Sequence, residues 1–84
     1  MSARSAIIIF RIKNTRLAAD LEVPLDISAH ELVLALNEAF DLGIDTSDAR
    51  NCFMKASYPT ALLQGSRSLA GFGIRTGSVI SHES

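Results

Sequence analysis

The amino-acid sequence predicts an α+β domain in which one main helix lies against one face of a mixed sheet of four to five strands. Three observations carry that expectation. Two segments near the start alternate apolar and polar residues with the period of a half-buried strand. A helix with both of its ends marked follows them. Short alternating stretches separated by turn residues then fill the remainder.

From Ala6 to Lys13, Ile8, Phe10 and Ile12 fall on one face of a strand, and Ile7, Ile9, Arg11 and Lys13 fall on the other. Asn14-Thr15 interrupts the pattern. Leu17, Ala19, Leu21 and Val23 then alternate with Ala18, Asp20 and Glu22, so the two segments read as a hairpin ending at Pro24. Ser28-Ala29-His30-Glu31 is a capping box, with Ser28 as N-cap and Glu31 reaching back to its amide, and Ile27 with Leu32 occupies the positions of a hydrophobic staple. Leu32, Ala35, Leu36, Ala39 and Phe40 follow at i, i+3, i+4, i+7 and i+8, an apolar stripe that must lie on a sheet. Gly43 suits the left-handed position after the helix, with Ile44 folding back, so the helix is expected over 29–41.

A polar loop, Asp45 to Arg50, leads to Cys52, Met54 and Ala56, which alternate with Phe53 and Lys55 as a third strand with the small and soft side chains inward. Tyr58-Pro59 breaks the pairing, Ala61 to Leu63 is a short fourth strand, and 64–67 is a turn. The glycines of 68–74 allow one tight helical turn. After Thr76-Gly77, Ser78 to about His82 forms a last strand. No repeat, linker or low-complexity segment interrupts the chain.

The 84 residues fit one domain, 1–84, since chains divide into several cores only at a few times this length. With 48% apolar and 20% charged residues the chain has the balance of a globular protein, not of a disordered tail. A net charge of −1, with the eight Lys and Arg scattered, gives no basic stripe, so a nucleic-acid partner is not expected. Cys52 is the lone cysteine, which rules out an internal disulfide and a multi-cysteine zinc site and fits a reducing, cytoplasmic location. Ala6 to Phe10, an apolar run as long as any in the chain, is far short of the ~20 residues of a membrane-spanning helix and lacks a signal-peptide cleavage site, so membrane association is expected only through a partner.

The run Leu63-Gln64-Gly65-Ser66-Arg67-Ser68-Leu69, then Phe72-Gly73-Ile74, then Thr76-Gly77-Ser78-Val79-Ile80 resembles the closing segment of the ubiquitin superfamily, and Leu21-Glu22-Val23-Pro24 resembles its second strand. The similarity covers roughly residues 6 to 83. Within the superfamily, the ending Leu62-Leu63, Leu69, Gly73-Ile74 and Gly77-Ser78-Val79-Ile80 is similar to the YukD and EsaB group, bacterial ubiquitin-like proteins associated with type VII (ESX, WXG100-exporting) secretion. This resemblance implies a β-grasp fold and a non-enzymatic accessory of a secretion machine, either free in the cytosol or joined to a membrane component, with a secretion-system protein as partner. Conjugating ubiquitins and sulfur carriers end in a flexible Gly-Gly, whereas this sequence ends Ser81-His82-Glu83-Ser84. A modifier or carrier that has lost its tail, and a ubiquitin-like domain cut from a larger protein, are the alternative readings.

No catalytic, metal-ligating or cofactor-binding residues are expected. Cys52 with His30 or His82 is better read as a packed thiol and two surface histidines than as a nucleophile and base. Gly71-Phe72-Gly73 lacks the spacing and the strand-to-helix setting of a phosphate loop. Asp41, Asp45 and Asp48 lack calcium-loop spacing. The residues assigned to protein binding are Ile7, Ile9 and Phe53, which strand alternation places on the sheet face that the helix does not cover. By resemblance Phe53 falls near the centre of ubiquitin's partner-binding patch, with Ser81 and Glu83 at the flanking positions, so that patch itself is not reproduced.

Overall fold

Every strand of this chain has an apolar face, and one amphipathic helix is available to cover the sheet they make. A computed structural model describes residues 4–83. Its elements are β1 (Ser5–Ile12), β2 (Ala18–Pro24), α1 (Ala29–Phe40), β3 (Met54–Ser57), β4 (Ala61–Leu63) and β5 (Val79–His82), with 3-10 turns at Ala49–Asn51 and Ala70–Phe72. The sheet has the order β2-β1-β5-β3-β4. β1 and β5 run parallel at its centre, and the other neighbours are antiparallel. This is the β-grasp arrangement: a hairpin, a crossing helix, and a final strand that returns between the two halves of the sheet.

The strand facing follows the alternation. Ala6, Ile8 and Phe10 of β1, Met54 and Ala56 of β3, Leu63 of β4 and Ile80 of β5 are buried beneath α1. Leu69 and Ile74, either side of the second 3-10 turn, close one end of the same core. Leu17 departs from the expected strand. Thr15 donates its hydroxyl to the Ile12 carbonyl at 2.7 Å and accepts the Leu17 amide at 3.1 Å, which holds Leu17 in the turn ahead of β2, where its side chain is exposed. Cys52 is buried as expected but lies ahead of β3, because the 3-10 turn bends the chain there and its amide donates to Ala49 O at 3.1 Å.

The helix stripe is rotated from the expected one. Ala29, Leu32, Val33 and Leu36 are buried, whereas Ala35 and Ala39 are exposed and Phe40 is half-buried. Counted from Ala29 instead of Leu32, the inward set is i, i+3, i+4 and i+7, and it buries the branched side chain of Val33 while surrendering only two methyl groups to water. The helix ends at Phe40, close to the expected end: Asp41 is its C-cap, left-handed at φ 53° with its amide donating to Asn37 O, and Gly43 is left-handed as expected, at φ 75°. Aspartate tolerates that conformation better than most side chains. Ile44 does fold back, held by a pair of bonds to the Asn37 amide, with Ile44 N donating to Oδ1 at 2.9 Å and Nδ2 donating to Ile44 O at 3.3 Å.

The capping box at the other end is complete. Glu31 N donates to Ser28 Oγ at 3.0 Å, and Ser28 N donates to Glu31 Oε1 at 3.3 Å. Two more amides of the first turn are satisfied from outside the helix, Ala29 N by Arg67 O and His30 N by Gly65 O, both at 2.9 Å. The start of α1 is thus docked on the turn that leads into the closing segment. Ser28→Ala is expected to destabilise the fold by about 1 kcal/mol, read as a lower midpoint in urea with an unchanged m-value.

Candidate protein-docking surface

α1 covers one face of the sheet, which leaves the opposite face to be judged from its side chains. The register places Glu22 beside Ile7, and Asp20, Ile9, Val79 and Ser57 in one row across the strands. The next row is Ala18, Arg11, Ser81, Lys55 and Leu62. Ile7 is 52% exposed, Leu62 46% and Phe53 39%, while Ile9 and Val79 are half-buried. Ile7, Ile9 and Val79 therefore make one apolar group. Phe53 stands apart from it, two residues before Lys55 along the chain, at the far end of the face.

Polar chemistry separates the two groups. Lys13 Nζ and Lys55 Nζ both donate to Glu83 Oε1, at 2.9 and 3.0 Å, bridging β1 and β3 across the end of β5. These two bonds, that from Lys13 first, hold the Glu83 carboxyl well below its ordinary 4.5, at about 2. All three side chains are about half exposed, so the clamp orders the surface more than it stabilises the fold.

Past the clamp lies a groove of about 430 Å³ lined by Leu42, Ile44, Phe53, Met54, His82 and Glu83. Phe53 forms part of its wall, so this residue meets the loop after α1 and the end of β5 instead of Ile7 and Ile9. The loop is held by its own short-range bonds. Ser47 donates to Asp45 and Arg50 to Asp48, and each bond lowers the acid's pKa. Leu62 was missed by the sequence reading of the site. Its signal was present, because the inward facing of Ala61 and Leu63 turns Leu62 outward.

Cys52 is a packing group, and His30 and His82 are half-buried instead of fully exposed as expected. The Cys52 thiol is buried against backbone carbonyls, with Sγ 3.6 Å from Asp48 O and 4.0 Å from Thr46 O. His30 lies in the first turn of α1 and His82 on β5. Among the described residues no group of three or more His, Cys, Asp and Glu is placed to hold a metal ion. Nor is any helix among them long and apolar enough to cross a membrane.

A hairpin, a crossing helix and a central parallel pair of first and last strands define a ubiquitin-like β-grasp protein. Solved structures agree. The C-terminal ubiquitin-like domain of mouse tubulin-specific chaperone e superposes with a TM-score of 0.73 at 10% identity, covering 99% of this chain and 89% of that one. The ubiquitin-like domain of yeast Ddi1 gives 0.66 at 19% identity, with coverage of 96% and 90%. Trypanosoma brucei tubulin-binding cofactor B gives 0.69 at 10%, with coverage of 95% and 94%. At such identities the likeness is one of fold. The sequence itself is more specific: residues 7–81 match the family described as WXG100 protein secretion system (Wss), protein YukD, and the chain belongs to that family. A search of curated proteins gives no match.

Proposed function

We propose that this chain is a non-catalytic, unconjugated ubiquitin-like adaptor of a bacterial type VII secretion system, acting in the cytoplasm and meeting the membrane only through a protein partner. The observation that carries the docking role is the uncovered sheet face, where Ile7, Phe53 and Leu62 stay exposed although the opposite face has a helix to cover it. That face carries two apolar sites, the Ile7, Ile9 and Val79 group and, past the lysine clamp, Phe53 in its groove, and grouped large side chains mark an interaction surface better than scattered ones do. Membership of the secretion family supports the choice of partner: a protein component of the export machine.

Capture from native lysate, with membranes included, tests the reading. Ile9→Ser and Phe53→Ser are each expected to change stability by about 1 kcal/mol or less and to weaken capture of a secretion-machine component several-fold, as loss of an apolar anchor does. Capture that both variants leave unchanged would remove the outer face from the account. A covalent ladder in lysate boiled with detergent and reductant would contradict the unconjugated state.

A further inference from the structure

A different part of the sheet carries a second surface. β4 is one edge of the sheet and is three residues long, whereas β2, the other edge, runs for seven. The antiparallel ladder between β1 and β2 ends in Ile12 N donating to Leu17 O at 3.4 Å and Leu25 N donating to Arg4 O at 2.8 Å. With the register constant in between, hydrogen-bonded pairs alternate with non-bonded ones, so Ala19, Leu21 and Val23 bond to β1. The amides and carbonyls of Ala18, Asp20 and Glu22 then point off the sheet. Among the described residues no backbone or side-chain hydrogen bond reaches them. Pro24, lacking an N–H, ends this rail of donors.

The side chains along the rail are not neutral about what joins it. Asp20 and Glu22 are both exposed on the outer face, and Ser5 Oγ donates to Glu22 Oε2 at 2.7 Å, which orients that carboxylate beside the edge. On the inner face Leu21 is half-buried at the margin of the core. Arg16 and Arg4 flank the two ends, so the negative charge is confined to the middle. A second copy pairing antiparallel about Leu21 would set Asp20 against Glu22 twice, and centring on Asp20 or Glu22 would set each acid against itself. Like charges directly opposite are destabilising.

We propose that the free edge of β2 is a strand-addition site for an extended segment of another protein that carries Lys or Arg at two alternate positions and apolar residues between them. The backbone of that segment bonds to Ala18, Asp20 and Glu22. Its basic side chains meet Asp20 and Glu22, and its apolar ones cover Leu21. This surface adjoins the outer-face site, since Asp20 and Glu22 lie beside Ile9 and Ile7, but its test reads the β2 edge alone.

The test uses the full chain, labelled for amide exchange, and three synthetic peptides: alternating valine and lysine, the same with glutamate for lysine, and the lysine form N-methylated on alternate backbone amides. The lysine peptide is expected to slow exchange at Ala18, Asp20 and Glu22 and to bind about tenfold more tightly than the glutamate peptide, the sum of two charge pairs reversed in sign. N-methylation, which keeps the charges and removes the strand, should abolish the protection. In the double variant Asp20→Lys, Glu22→Lys the preference should pass to the glutamate peptide. Equal binding of the methylated and unmethylated forms, protection confined to other strands, or no discrimination between lysine and glutamate by the unaltered chain would each overturn the proposal.

Discussion

Replacing Phe10 by alanine is expected to leave the protein largely unfolded at room temperature. The ring is fully buried on the central strand β1, and it lies against Phe40 with centroids 4.9 Å apart, which joins the sheet to the last turn of α1. Removing such a ring costs about 3 to 5 kcal/mol through lost transfer energy and the cavity left behind. A domain of this size has little beyond that to lose. Urea unfolding followed by circular dichroism measures it. A loss below about 1 kcal/mol would mean that Phe10 is a surface residue and that the strand facing is inverted.

The second large effect concerns the helix. Val33→Asp is expected to abolish folding, while Ala35→Asp, two residues along the same helix, should be tolerated. Val33 is fully buried and Ala35 is exposed. An unpaired carboxylate in the core costs several kcal/mol, comparable to the whole stability of the domain, whereas an exposed aspartate in a helix costs only its propensity, about 0.7 kcal/mol relative to alanine. Near-ultraviolet circular dichroism and amide dispersion on both variants read the difference. If Ala35→Asp unfolds the chain and Val33→Asp does not, the stripe runs through Ala35 and Ala39 after all.

That pair of variants also marks where the sequence was legible and where it was not. The capping box fixed the start of α1 because it is a contact between residues three apart, and strand alternation fixed the facing of Ile8, Phe10, Met54 and Ala56 because the period of two allows only two answers. The helix stripe was harder. Starting the count at Leu32 or at Ala29 gives two apolar faces that share Leu32, Leu36 and Phe40, and only the sheet decides whether Val33 or Ala35 completes them. The left-handed Gly43 was legible from its residue type, whereas the cap at Asp41 was not, because aspartate takes that conformation less readily than glycine.

Of the candidate surface, alternation gave the outward turn of Ile7, Ile9 and Phe53 but not their spacing. Whether two outward residues meet depends on which strands are neighbours. β5 lies between β1 and β3, so Lys13, Glu83 and Lys55 stand between the Ile7 and Ile9 group and Phe53. The open rail on β2 was equally invisible, since it depends on β2 being an edge and on the phase of its ladder.

The central claim, that the outer sheet face receives a secretion-machine protein, is tested most directly by a photo-crosslinking residue placed singly at positions 9, 53 and 62 in the native cell, with Leu34 on the exposed side of α1 as the control. A covalent adduct with a component of the secretion apparatus is expected from at least the Ile9 or the Phe53 position and none from Leu34. Adducts to that component from Leu34 alone would contradict it.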